Sequence, residues 1–299
     1  MIQHIIDYNK EELDKVKDSL KTLKFNGEMN DNALHVALYH GAPKECIKYL
    51  TDHGVDLAEK NCNGMTPIAY AIQQKKMTIA QPLLSSQTVN IIDSLGRNLL
   101  HMTTIYGEEA AKEFIPLLIK LGVNLLGSTI HKQNPLHLAA YHNNPQALDA
   151  LLKSKKLNVD EVDSEGNSPL MVAVKRGSKD AFDRLLKKKK IKLSVQDLEG
   201  NSPLHILASE GDKRLDWMLA LIKKSSSLLK KCTLDLEIKN GKGETPLICA
   251  VKVGKNNLLM IQKLLSLKAD KGAKDGQGKT ISEIAKEAGM EGVDQLLKN

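Results

Sequence analysis

One stretch of this chain recurs along its length, and that recurrence limits the fold more than any other feature. "GNSPLHILASEG" from Gly200 has relatives in "DNALHVALYHG" from Asp31, "GMTPIAYAIQQK" from Gly64, "GRNLLHMTTIYG" from Gly96 and "KQNPLHLAAYHN" from Lys132. The series continues through "GNSPLMVAVKRG" from Gly166, "GETPLICAVKVG" from Gly243 and "GKTISEIAKEAG" from Gly278. Aligned on Asn32, Thr66, Asn98, Asn134, Ser168, Ser202, Thr245 and Thr280, the eight copies are spaced by 34, 32, 36, 34, 34, 43 and 35 residues. A period of this size signals a stacked array, in which each small unit buries its apolar face only against its neighbours.

Each aligned position has a physical reason. The eight Ser, Thr and Asn residues are the types whose side-chain oxygen accepts an orphan N–H at a helix start. Proline follows in five copies (Pro67, Pro135, Pro169, Pro203, Pro246), where a missing N–H costs nothing. Nine residues after the cap stand Gly41, Gly107, Gly177, Gly211, Gly254 and Gly289, with Asn143 and Lys75 in the other two copies. Glycine, and less often asparagine, accepts the left-handed conformation that ends a helix. A second apolar segment with a Leu pair usually follows, as at Leu117-Leu118 and Leu151-Leu152. The unit is therefore a short helix, a turn, a longer helix and a second turn.

This pattern resembles the ankyrin repeat, whose signature is D-x-x-G-x-T-P-L-H-x-A-A-x-x-G, over about residues 30–299. The resemblance implies an all-α ankyrin solenoid of stacked helix-turn-helix units with short β-turn-like fingers. Repeats are expected at about 30–62, 63–94, 95–129, 130–163, 164–197, 198–239, 240–274 and 275–299. Residues 1–29 precede them as an N-terminal helical cap. There Asn9 and Glu12 stand in capping-box relation and Leu13, Val16, Leu20 and Leu23 follow at helical spacing, predicting one amphipathic helix.

Several departures carry information. Pro82 and Pro116 fall within predicted second helices, where kinks or late starts are expected. The 36-residue step adds two residues to the third copy, and the 43-residue step adds about nine within "LIKKSSSLLKKCTLDLEIKNGKG", as a longer second helix and loop. Leu207 occupies a position that is Ala in six other copies and predicts different packing there. In the last copy Glu283 and Ser282 replace the motif's His and Leu, and Glu287, Glu291 and Lys298 follow. A terminal unit needs such a polar outer face.

Composition narrows the function. Hydrophobic residues make up 41% of the chain but aromatics only 3%, so the core is built from Leu, Ile, Val and Ala. The net charge of +7 is almost wholly lysine, since arginine occurs only at positions 97, 176, 184 and 214. Lysine lacks the fork that reads phosphates and bases bidentately, which disfavours nucleic acid. Cys46, Cys62, Cys232 and Cys249 form no CxxC pair, as expected of free thiols in a cytoplasmic, reducing compartment. No apolar run has the 18 residues of a membrane span, and the N-terminus lacks a leader pattern.

His205, near Glu199 and Glu210, invites a catalytic reading. His35, His101, His137 and His205 share one motif position, however, and the resemblance implies that these imidazoles bond to neighbouring turns. His4 and His131 are isolated. Cys46 with His40 or His53 lacks a local oxyanion hole or orienting group, and no phosphate-loop, zinc-protease or nucleophile-elbow motif is present. No enzyme activity, metal, cofactor or small-molecule substrate is expected.

The resemblance further implies that residues just before the first helix's end face a concave groove. These include Tyr39 and His40, Gln73 and Gln74, Ile105 and Tyr106, Tyr141 and His142, Lys175 and Arg176, Ser209 and Glu210, and Lys252 and Val253. Tyrosine and arginine are enriched in binding hot spots, so the groove's N-terminal half leads as the site for another protein, the chain being a monomeric scaffold or adaptor. A basic ridge at Lys187, Lys188, Lys189, Lys190 and Lys192, with Lys153, Lys155 and Lys156 one repeat earlier, supplies a rival binder of anionic membrane or nucleic acid. The Lys-, Asn- and Ile-rich divergent copies are also similar to ankyrin effectors that intracellular bacteria deliver into host cells.

Overall fold

The structure is a computed structural model and describes residues 1–25, 27–106, 111–227, 234–290 and 296–297. Two short helices, α1 (Ile2–Ile6) and α2 (Lys10–Asp14), come first. The eight aligned polar residues then open α3 (Ala33–His40), α5 (Pro67–Gln73), α7 (Leu99–Tyr106), α9 (Pro135–Tyr141), α11 (Pro169–Arg176), α13 (Pro203–Glu210), α15 (Pro246–Lys252) and α17 (Ile281–Glu287). All eight side chains accept N–H groups of the first turn: Asn32 from Leu34 and His35, for example, and Ser202 from His205. The second helices are α4 (Lys44–Asp52), α6 (Met77–Ala80), α8 (Ala111–Lys120), α10 (Pro145–Leu151), α12 (Lys179–Leu186), α14 (Leu215–Ser227) and α16 (Leu258–Ser266). Among the described residues there is no strand, only isolated bridges at Phe25–Asp31 and Lys274–Thr280.

The chain divides into two compact units, Met1–Leu157 and Asn158–Asn299. In the first, α1, α3, α5, α7 and α9 pack in succession, each also against the helix that follows it, and α8 packs on α10. In the second, α11, α13, α15 and α17 pack in the same way, backed by α12, α14 and α16. Phe182, Met218, Leu221, Met260 and Leu264 are buried there. Trp217 lies against Phe182 with ring centroids 4.6 Å apart, and the Arg214 guanidinium covers its other neighbourhood at 4.4 Å.

The residues between units form finger-like turns with one recurring organiser. Five residues before every cap but the first stand Asn61, Asp93 and Thr129 in the first unit, and Asp163, Asp197, Asn240 and Asp275 in the second. The side-chain oxygen of each accepts the N–H groups two and four residues on, as Asp93 does from Leu95 and Arg97, both at 2.9 Å. Successive fingers are then laced by backbone bonds: Ile130 N–H to Leu95 C=O in the first unit, Leu198 to Glu165, Gly241 to Glu199 and Gly276 to Lys242 in the second. Gly96 permits the close approach. Its φ is +74°, and a Cβ there would stand 3.3 Å from the Ser128 carbonyl oxygen.

The structure corrects the sequence reading in three places. Residues 1–29 hold two short helices and two 3-10 turns rather than one helix: Asn9 caps α2 as expected, accepting from Glu12, but α2 ends at Asp14 before a 3-10 turn at Lys17–Ser19, and α1 precedes a break where Tyr8 adopts φ 49°. The segment is itself a helix-turn-helix layer: α1 packs on α3, the Cys46 thiol donates to the Ile5 carbonyl at 3.1 Å, and Tyr49 donates to Asp14. Pro116 sits inside an unbroken α8 on an exposed face, and the carbonyl it leaves without a helical donor belongs to Lys112, itself exposed. Pro82, in contrast, ends α6 after four residues in a 3-10 turn.

The helix stops also differ among copies. Gly41 and Gly177 are left-handed, as are Lys75 and Asn143 in the copies that lack glycine. Gly211 (φ 82°, ψ −173°) and Gly254 (φ 84°, ψ −151°) instead enter a region that only glycine tolerates, and each leads into a 3-10 turn. Gly107 lies outside the described residues. The insertion appears as α14, at 13 residues the longest second helix, and continues through residues 228–233, which also lie outside the described residues, as do Glu291 and Lys298.

Candidate functional site

The four motif histidines sit at the third position of α3, α7, α9 and α13, fully buried. In each, Nδ1 lies 3.1–3.2 Å from the N–H of its own cap residue, which it accepts when the ring proton is on Nε2. That proton ties one copy to the next: His35 donates to the Met65 carbonyl at 2.9 Å and His205 to the Glu244 carbonyl at 3.0 Å. Burial lowers the pKa of both. His101 differs, because its Nε2 faces the carbonyls of Gly127 and Gln133 and meets neither at bonding geometry. Burial pushes its pKa down to about 4.

The cysteines are engaged or shielded. Burial pushes the Cys46 thiol up to about 11, and burial together with the Glu244 carboxylate pushes Cys249 to about 12. A thiol held protonated is a poor nucleophile. His53 is turned away from such chemistry, with Nδ1 2.8 Å from the Tyr49 carbonyl and its ring stacked on Tyr49. Cys62 is exposed, and Cys232 lies outside the described residues. Among the described residues, no three His, Cys, Asp or Glu side chains converge as a metal site would require, and no helix is long and apolar enough to cross a membrane.

Two of the positions expected in the groove of the first unit carry exposed aromatic rings. Tyr39 and Tyr141 are 38% and 40% exposed, large values for rings in a packed array. Tyr39 stacks on Tyr70 (5.7 Å, 14°), meets His40 edge-on at 4.9 Å, and carries the Lys76 ammonium 5.2 Å from its ring centre. Tyr141 meets His142 at 5.0 Å. Ile105, Tyr106 and Gln73 are half-buried, while Gln74 and both histidines are exposed. All six tyrosines of the chain belong to this unit.

A pocket of about 180 Å³ opens beside Tyr141, between the third and fourth fingers and α9. Its lining joins Leu95, Ile105, Ile130 and Leu138 to Arg97, His131, Gln133 and His142. Leu95 and Ile130 are finger-tip residues exposed to 41% and 61%. Arg97 Nε donates to Asp93 at 2.6 Å, and among the described residues no acceptor meets its terminal nitrogens. Sequence reading found Tyr141 and His142 but took His131 as isolated and missed the finger residues and Tyr70. Leu95 and Ile130 stand three and four residues before the caps Asn98 and Asn134, and Tyr70 four after the cap Thr66.

At the matching positions of the second unit several charged side chains are paired within the unit. Lys175 pairs with Asp197 at 3.0 Å, Glu210 with Lys213 at 2.8 Å, and Lys252 with Glu244 and Asp275. Arg176, Ser209 and Val253 are exposed. The lysine run is not a flat ridge. Lys187 is the C-cap of α12, Lys188 is half-buried, and buried Ile191 separates exposed Lys189 and Lys190 from exposed Lys192. Lys153, Lys155 and Lys156 belong to the other unit.

A family model described as ankyrin repeats matches the chain in three copies, at residues 4–93, 76–163 and 136–227. The chain belongs to the ankyrin-repeat family. Ankyrin repeats are generally protein–protein interaction modules. The dog and human proteins named inversin are each 26% identical over 134 residues, 44% of this chain but only 12% of their own length. The crystal structure of the ankyrin repeat domain of Bcl-3, described as a unique member of the IkappaB protein family, superposes with a TM-score of 0.66 at 21% identity. That match covers 79% of this chain and all of Bcl-3's ankyrin domain. At that identity it shows the ankyrin fold alone.

Proposed function

We propose that this ankyrin protein is a non-catalytic scaffold that recognises another protein through the groove face of its first unit. The observation that carries the reading is the contrast between the units: exposed aromatic rings and an open apolar pocket in one, internally paired charges in the other. Stiff aromatic side chains lose little entropy on contact and dominate binding hot spots. A face already held by helix stacking adds little ordering cost. The reading places the chain in a reducing, cytoplasmic setting, where its cysteines stay free. Delivery into a host cell would change where the partner resides and not the face that binds it.

The test is affinity capture from cell extract with the full chain, followed by titration of the purified partner against wild type and a Tyr39→Ala/Tyr106→Ala/Tyr141→Ala variant. Affinity is expected to fall at least about thirtyfold, the equivalent of one hot-spot residue of about 2 kcal/mol, with helical circular dichroism unchanged. Equal affinity would remove the groove from the reading.

A further inference from the structure

The pocket between the fingers organised by Asp93 and Thr129 combines volume with Arg97 terminal nitrogens that meet no acceptor among the described residues. At about 180 Å³ it is smaller than the roughly 300–1,000 Å³ of pockets for whole small-molecule ligands. It is close to the roughly 150 Å³ that accepts one benzene ring in an apolar protein cavity. The space suits a single phenyl-sized side chain.

Its chemistry is lopsided. Leu95, Ile130 and Leu138 supply apolar wall and Tyr141 an aromatic one. Arg97 and His131 contribute donors, and no described lining residue is acidic. The nearest carboxylate, Asp93, already accepts from Leu95 N–H, Arg97 N–H and Arg97 Nε. That arrangement commits Nε to Asp93, and Arg97 lines the pocket with terminal nitrogens that meet no acceptor among the described residues, a fork that favours a carboxylate. Lys132, exposed beside His131 on the fourth finger, adds a further positive charge.

We infer that this pocket anchors the partner by taking up one aromatic side chain with a carboxylate beside it, so that the segment recognised is an acidic–aromatic stretch of polypeptide. The inference rests on the groove reading above and adds the chemistry of its anchor. The pocket is built from two fingers, and the Ile130–Leu95 backbone bond at 3.0 Å holds its two exposed apolar lips in register without using either side chain.

The experiment selects displayed random linear peptides on the full chain, then titrates the best synthetic peptide by fluorescence anisotropy. Enriched peptides are expected to share a Phe, Tyr or Trp next to Asp or Glu. A Leu95→Asp/Ile130→Asp variant should weaken binding at least about thirtyfold, as should Ile130→Ser in part, since both positions are exposed and the fold does not depend on them. Arg97→Lys, which keeps the charge and loses the fork, should weaken the acidic peptide about tenfold while leaving its Glu-to-Gln analogue unchanged. Peptides without an aromatic–acid pair, or binding indifferent to the lip variants, overturn the inference. Tyr39→Ala, outside the pocket, separates the two readings: loss there with no effect at the lips keeps the groove and removes the anchor.

Discussion

At His101 burial without an acceptor has a consequence in pH. The folded chain holds this imidazole neutral down to about pH 4, whereas an unfolded histidine takes up its proton near 6.5. Between those values the unfolded state binds more protons, so stability is full above about 6.5 and falls as pH falls through the window. A His101→Gln variant should therefore lose about 2 kcal/mol less than wild type between pH 7 and pH 5, measured by urea denaturation. Equal losses would mean that His101 does not govern the acid sensitivity. Lys75 makes a second point at this scale. It closes α5 at φ 59°, where an L side chain costs roughly 1–2 kcal/mol. Lys75→Gly recovers that strain but loosens the unfolded chain, for a net gain of about 1 kcal/mol in the same assay.

Among the elements, the first helices were legible because their signals are local: cap, proline, apolar stripe and glycine lie within a dozen residues. The second helices were legible only as apolar segments, because their starts are held from a distance. Leu259 and Met260 at the head of α16 donate to the Asp212 carboxylate, 47 and 48 residues earlier. Asn144, fully buried, caps α10 by accepting from Ala147 and reaches back 40 residues to donate to the Thr104 carbonyl. No short window contains both ends of such a bond. Asn144→Ala removes a cap and leaves a buried carbonyl without its donor, an expected loss of about 2 kcal/mol by urea denaturation. A loss below about 0.5 kcal/mol would show that the bond to Thr104 adds nothing. The N-terminal layer was misread for a related reason. Its apolar residues keep a helical period from Leu13 to Leu23, but α2 ends at Asp14 in favour of a 3-10 turn, and α1 ahead of it is held by its contacts with α3.

For the whole molecule, the pocket was invisible in the sequence because Leu95 and Ile130 belong to fingers 35 residues apart and become neighbours only on stacking. The aromatic bias was visible: all six tyrosines precede residue 157, and the only tryptophan, Trp217, follows it. This distribution separates the two binding modes that a charge of +7 leaves open. Recognition through rings and one guanidinium should depend weakly on salt. Binding through the lysines around Lys187–Lys192 to a polyanion releases counterions and depends on it steeply. Raising salt from about 50 to 200 mM is expected to weaken partner binding by less than about tenfold, whereas a contact with several phosphates would lose about a thousandfold or more. Trp217, packed on Phe182 in the second unit, is outside the groove and should keep its emission throughout the titration. A steep slope abolished by exchanging Lys187, Lys189, Lys190 and Lys192 for glutamine would move the binding face to the lysine run.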